Sequence, residues 1–339
     1  MTSGKLSKAH SLNFNFQFIV PFFLLACSSI TNAQFKPNSG VQIGRTITVD
    51  LNGKGDFTKV QDAIDSVPSR NNVWTLIKLK AGVYEGQVAI PQDKPYMILQ
   101  GEGSGTTVIQ VNQAGSSSDS AALILSAENF VASDISFRNT YNLDQSHREP
   151  MLWAPAATLW ADKASFYRCG FISKQDTLSD LIGRHYFHSC YIEGSVDFIW
   201  GNGQSYYELC VLNATGGGFI TAQGRKSEDQ PTGFVFVKSA IVGVGPTLLG
   251  RAYGPYSRVL IKNANITANV KPEGWSAWSF VGHEDKITYA EQGCDGPGSA
   301  MSQRVTWMKT LTAGEWDYFT NIHTFLNQDG WIVQPPSLL

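Results

Sequence analysis

Between Ala164 and Cys210 the chain repeats itself, and few folds tolerate a repeat of this length. Ser165-Phe166-Tyr167-Arg168-Cys169-Gly170-Phe171, Tyr186-Phe187-His188-Ser189-Cys190-Tyr191-Ile192 and Tyr206-Tyr207-Glu208-Leu209-Cys210-Val211-Leu212 each place an aromatic pair before a cysteine and an apolar residue two positions after it. The cysteines are 21 and 20 residues apart. Short β-rich runs at that period describe successive coils of a solenoid, whose faces are buried only by stacking on their neighbours. Ser133-Asp134-Ile135, Ser239-Ala240-Ile241 and Ala264-Asn265-Ile266 are expected in the same slot of less regular coils. Asp176 and Asp197 each follow a cysteine of the repeat by seven residues. The period therefore predicts that these two carboxylates stack, about 4.8 Å apart at the strand spacing.

Two carboxylates that close cannot both ionise freely. One keeps its proton while the other stays charged, which supplies an acid and a base, or an acid and a nucleophile, at one site. A ladder of acids on a solvated face is the other reading, and spacing alone leaves both open.

The rest of the chain sets the context. Its 339 residues are 42% hydrophobic and 16% charged, as expected of a globular protein with a substantial core. Lys5, Lys8 and His10 precede an apolar run from Phe18 to Cys27, and Thr31-Asn32-Ala33 follow, the pattern of a secretory signal peptide over residues 1–33. The apolar run is too short for a membrane anchor. Cleavage near Ala33 removes two lysines and no acid, so 26 basic residues become 24 against 28 acidic ones, a net charge of −4. No basic run or domain points to nucleic acid. Secretion permits disulfides among Cys169, Cys190, Cys210 and Cys294, but the stacked slots fit a buried thiol ladder equally well.

From residue 46 the pattern is strand after strand. Thr46 to Asp50 reads as the first, and Val60, Ala63, Ile64 and Val67 fall on one face of a short helix that would cap the open end of the solenoid. Strand signals follow at 74–80, 88–90, 96–100, 107–111 and 121–125, later at 234–242 and 258–266, with Gly and Pro between them. Ser116-Ser117-Ser118 reads as a solvated loop, and the insertion from Asn139 to about Pro155 as the wall of a site. The glycines at 101, 103 and 105 lack G-x-G-x-x-G spacing and precede a strand, so they do not form a dinucleotide loop. There is no G-x-S-x-G elbow, no His-Glu-x-x-His and no paired Cys-x-x-Cys, so neither the usual serine-esterase fold nor a metal site is expected. Residues 34–339 read as a single domain.

Asp162-Lys163-Ala164-Ser165-Phe166-Tyr167, Gln175-Asp176-Thr177-Leu178, Gly194-Ser195-Val196-Asp197-Phe198-Ile199-Trp200-Gly201 and Leu249-Gly250-Arg251 resemble, in order and spacing, the signature motifs of plant pectin methylesterases. Gly82-Val83-Tyr84-Glu85, Gly274-Trp275 and Gly296-Pro297-Gly298 extend the likeness from about residue 45 to the C-terminus. The resemblance implies an all-β fold, a right-handed parallel β-helix with the short N-terminal capping helix and irregular C-terminal segments. It also implies hydrolysis of the methyl esters of cell-wall homogalacturonan by a secreted enzyme of the cell wall that uses no cofactor. A proteinaceous pectinesterase inhibitor is a candidate partner, and no inhibitor-like pro-domain is expected ahead of the catalytic region.

Carried over by motif, Asp197 would be the nucleophile, Asp176 the general acid and then base, Gln175 an oxyanion donor and Arg251 the partner of Asp197. Trp153, Trp200, Tyr253 and Trp275 would line the substrate. Two positions depart from the family. Ungapped counting back from Asp162 puts Trp153 where a second oxyanion glutamine is usual, and Ala252-Tyr253 replaces Pro-Trp. Trp153 therefore leaves room for a second reading, a secreted pectin-binding protein of the same fold with weak or no turnover. A lyase or galacturonan hydrolase would need calcium-binding acids or further clustered aspartates, and neither can be placed. Asn213-Ala214-Thr215 and Asn265-Ile266-Thr267 are acceptor sequons expected at turns or outward positions.

Overall fold

The computed structural model describes residues 41–143 and 151–335. The expected signal peptide lies outside them. Among the described residues every sheet pairing is parallel, and the strands form one sheet of ten and two of eight. The coil order follows directly from the repeat. Ala164–Tyr167 lies in the first sheet, Gly170–Ile172 in the second and Leu178–Asp180 in the third. The next coil then adds Arg184–His188, Tyr191–Gly194 and Ile199–Gly201 on top of them. The chain is a parallel β-helix.

Stacking fills the interior with ladders of like side chains. Phe166, Phe187, Tyr207 and Phe236 are in register on the first sheet, with ring centroids 5.0, 4.5 and 4.5 Å apart and nearly parallel planes. Each such pair contributes about 0.5–1.5 kcal/mol beyond the area it buries. The cysteines sit one residue past the corner between the first two sheets, each preceded by a residue in the left-handed region: Arg168, Ser189 and Leu209. The corner turns the side chain inward, so all three sulfurs are buried and remain thiols. The Cys190 and Cys210 Sγ groups donate to the carbonyls of Phe166 and Phe187 on the preceding coil at 3.4 and 3.5 Å. Burial pushes the Cys169 and Cys190 thiols well above their ordinary pKa, so the ladder is inert packing. The same slot is held by Ile135, Ser239 and Ala264, by extension of the pairs Gly170↔Ser136, Val211↔Ala240 and Ala240↔Asn265. Ile241 and Ile266 lie two residues beyond it, paired with each other. The three outlying triplets are thus not in one phase: the corner keeps its slot, with Asp134, Lys238 and Asn263 in the left-handed region just before it, but the first triplet ends where the other two begin.

The expected helix is Val60–Asp65, burying Val60, Ala63 and Ile64 against the first coils. At the other end the chain does more than the irregular sequence suggests. A helix at Ala313–Thr320 is opened by a capping box of Thr312 and Glu315. The segment after it covers the outer face of the first sheet. Tyr206 and Tyr167 donate their hydroxyls to the carbonyls of Thr320 and Val333, both at 2.7 Å, and Arg184 bridges Asp162 and Asp329. The third sheet keeps its outer face open over part of its length, and the cleft lies there.

Candidate active site

Alternation along each strand of the third sheet sends every second side chain outward. In register from coil to coil this gives the row Thr158, Ser179, Trp200, Ala222, Arg251 and Ser276. Trp200, Ala222 and Arg251 of this row form the floor of a cleft of about 350 Å³, lined also by Ser117, Trp153, Gln175, Asp176, Asp197 and Tyr253.

Asp176 and Asp197 occupy the turns that lead into two adjacent strands of this sheet, both in the left-handed region at φ 57° and 49°. Such a backbone costs a non-glycine residue about 1 kcal/mol or more, and the solenoid accepts the same cost at its corners, at Arg168, Ser189 and Leu209. Gln175 bridges to Val196, and the Asp176 N–H donates to the Val196 carbonyl at 3.1 Å. The next residues in that register are Asp176 and Asp197 themselves, one strand spacing apart as the period requires.

Arg251 pairs with one of the two carboxylates. Its Nε reaches Asp197 Oδ1 at 2.8 Å and its Nη2 reaches Oδ2 at 2.6 Å, a two-pronged pair with both side chains about one-tenth exposed. The guanidinium crosses over Ala222, whose methyl group leaves the path clear. It is held flat among aromatic rings, 4.5 Å from the centroid of Trp278, 5.2 Å from Tyr253 and 5.6 Å from Phe219. Gly250 allows the strand to lie this close, since a Cβ there would meet Thr221 Oγ1 at 2.1 Å and the Trp275 ring at 3.1 Å. Asp176 has no such partner. Burial first, and the charge of Asp197 second, push its pKa up to about 7, with Arg251 pulling partly the other way. The pair can thus present a held carboxylate beside a carboxylic acid.

Most sequence-predicted residues meet here. Gln175 is half-buried beside Asp176, and its amide makes no hydrogen bond to the described residues. Trp200 donates its indole N–H to Ser179 Oγ at 2.9 Å and sets its ring edge-on to Tyr253 at 5.9 Å. Tyr253 and Trp153 stand half-exposed on the rim. Trp275 does not belong with them. It is 1% exposed, packs with its ring tilted against Tyr289 at 4.6 Å and donates to Glu291 Oε1, because its neighbour Ser276 takes the outward place in the row. Sequence reasoning missed Phe219, Ala222 and Trp278, whose roles depend on where Arg251 lies. It also assigned Ser117 to a solvated loop, whereas Ser117 lines the cleft. The wall expected from the insertion after Asn139 is present in its described parts. The buried Asn139 amide donates to the carbonyls of Gln113, Ser120 and Pro155, tying three segments together.

Among the described residues no group of His, Cys, Asp and Glu is arranged to hold a metal ion. His185 is fully buried between Asp180 Oδ1, at 2.5 Å, and the Ala161 carbonyl, at 2.7 Å, and is a core residue. No helix among the described residues is long and apolar enough to cross a membrane.

A parallel β-helix carrying an Arg-held carboxylate beside a raised carboxyl on its open face defines the class, a solenoid protein with a paired-carboxylate cleft. The family model for pectinesterases matches residues 46–329. Probable pectinesterase 55 and probable pectinesterase 29 of Arabidopsis thaliana are each 42% identical over 300 residues, covering 86% of this chain and 91% and 89% of their own lengths. Among solved structures, carrot pectin methylesterase superposes with a TM-score of 0.80 at 30% identity, covering 87% of this chain and 96% of its own. The pectin methylesterase of Aspergillus niger gives 0.75 at 25% identity, over 85% and 96%. The chain belongs to the pectinesterase family and is an esterase.

Proposed function

We propose that this protein hydrolyses the methyl esters of homogalacturonan, releasing methanol and leaving galacturonate carboxylates in the pectin of the cell wall. The observation that carries the reading is the Asp197–Arg251 fork beside the raised Asp176 carboxyl. Arg251 keeps Asp197 ionised and aimed, so its oxygen adds to the ester carbonyl carbon. Gln175 donates to the oxygen on which charge develops. As the tetrahedral species collapses, the Asp176 proton goes to the departing methoxide, and an acyl–Asp197 anhydride remains. Asp176, now a carboxylate, takes a proton from water as the water attacks that carbonyl. Asp197 is released as the carboxylate, the pectin acid gives the water's second proton to solvent to become the carboxylate, and Asp176 is again protonated. Trp153, Trp200 and Tyr253 offer ring faces and edges along which sugar rings can stack. Secretion to the cell wall is part of the same proposal, supported by the N-terminal pattern and the family.

The test is methanol release from highly methylated pectin by the purified mature chain. Steady release supports the esterase reading. Binding of pectin without methanol supports the second reading, the weakly active pectin-binding protein that Trp153 favours. With Trp153 in place of a glutamine donor, the proposed enzyme is slow. Trp153→Gln is expected to raise kcat, and Gln175→Ala to lower it by about a hundredfold, the usual cost of one oxyanion donor. A kcat that Trp153→Gln leaves unchanged or lower sinks the role given to that position.

The two sequons are not equivalent. Asn213, half-buried in the strand Val211–Ala214, already donates its amide to Tyr191 Oη and Glu193 Oε2. Asn265 is exposed and holds only Asp295 Oδ1 at a solvent-facing edge. Glycan is therefore expected on Asn265 and not on Asn213. Intact mass before and after glycosidase treatment of the secreted protein should differ by one glycan, and a mass that does not change counts against it.

A further inference from the structure

We propose that Ser117 is a catalytic residue of this site, its hydroxyl donating a hydrogen bond to the developing oxyanion in place of the donor lost at position 153. The inference rests on the esterase reading and deepens it. In the turn 115–120, the hydroxyls of Ser116 and Ser118 are both engaged with Asp119 Oδ2, at 2.9 and 3.0 Å. The Ser117 hydroxyl takes no part in that network and bonds to no described residue, yet Ser117 lines the cleft with Gln175 and Asp176. An uncommitted hydroxyl on a firmly held backbone is what a preorganised donor requires.

The backbone is firmly held. The Ser117 carbonyl accepts from Thr158 Oγ1 at 3.1 Å and from Ser179 Oγ at 3.3 Å, two side chains of the outward row. The same Ser179 hydroxyl lies 3.4 Å from the Asp176 carbonyl and accepts from the Trp200 indole at 2.9 Å. One side chain thus fastens Ser117 and the proposed acid to a common point. At the start of the turn the Gly115 N–H donates to the Trp153 carbonyl at 3.0 Å, and at its end the Ser120 carbonyl is held by the buried Asn139.

The geometry also separates Ser117 from Trp153. Counting back from the pair Ala157↔Leu178 sets Ala154 over Gln175 and Trp153 over Lys174. Trp153 is 53% exposed, so its ring forms the rim of the cleft while Ser117 sits over the outward row.

The experiment is steady-state methanol release by five forms of the full mature chain. Ser117→Ala should lower kcat by about tenfold to a hundredfold with KM within about twofold, the mark of an interaction made only in the transition state. Ser117→Thr, which keeps the hydroxyl, should stay within about threefold of the unmodified protein. Trp153→Gln placed in the Ser117→Ala background should restore kcat by a larger factor than it raises kcat in the unmodified protein, because the two donors would serve one oxygen. A raised KM at unchanged kcat, an unchanged kcat, or an equal loss in Ser117→Thr overturns the assignment. An unmodified protein that releases no methanol overturns the esterase reading and this proposal with it, whereas release indifferent to Ser117→Ala overturns only the proposal.

Discussion

Asp197→Asn is expected to reduce methanol release by at least about a thousandfold while leaving the coil stack intact. Loss of a nucleophile commonly costs that much or more, and an amide of the same shape neither attacks the ester nor carries the charge that Arg251 holds. The coil stack survives the loss of the charge, since the aromatic and cysteine ladders lie inside the solenoid and Asp197 lies on its open face, although leaving Arg251 without its partner lowers stability. The substitution has a second readout. The negative charge of Asp197 is the second cause, after burial, of the raised Asp176 pKa. Removing it favours the Asp176 carboxylate, so the titration of Asp176 should move down from about 7, and by NMR it should stay above an ordinary aspartate because burial remains. Turnover within about tenfold of the unmodified protein, or an Asp176 titration that does not move, would show that Asp197 is not the nucleophile facing this acid.

Arg251→Ala should damage both stability and rate. Breaking a buried pair by removing one partner typically costs about 3–5 kcal/mol, because the remaining charge is stranded. With each side chain about one-tenth exposed, water relieves part of that cost, and the low end applies. The loss also empties the space among Phe219, Tyr253 and Trp278 that the guanidinium fills. Turnover should fall by more than about a hundredfold, since Asp197 is neither aimed nor kept ionised. Arg251→Lys should recover little, as an ammonium cannot form the two-pronged pair or lie flat among the rings. The denaturant midpoint and kcat measure the two effects. An unchanged midpoint together with retained turnover in Arg251→Ala would show that the fork is incidental.

The solenoid was legible in the chain's period, and with it the register of the two carboxylates. A repeat of 20 and 21 residues forces equivalent positions onto adjacent coils, so the stacking of Asp176 on Asp197 needs no knowledge of how the strands are arranged. The same logic made the cysteines a ladder, once the left-handed residue before each one turned it inward. What lay outside the strict period was decided only by the tertiary structure. Trp275 was expected at the substrate and is in the core, because a one-residue change of register exchanges the two faces of a strand and nothing local fixes the register after a long turn. Asp180 breaks the polar-outward pattern and lies fully buried, tolerated there because His185 and the Tyr207 hydroxyl, from the next two coils, meet its two oxygens. Ser117 reaches the cleft, and Trp278 the Arg251 guanidinium, from segments whose lengths vary between coils, and a side chain's distance from a site across such an insertion is not written in its spacing. Periodicity encodes contacts between equivalent positions on neighbouring coils, whereas contacts made by the loops depend on three-dimensional closure, which only the folded chain supplies.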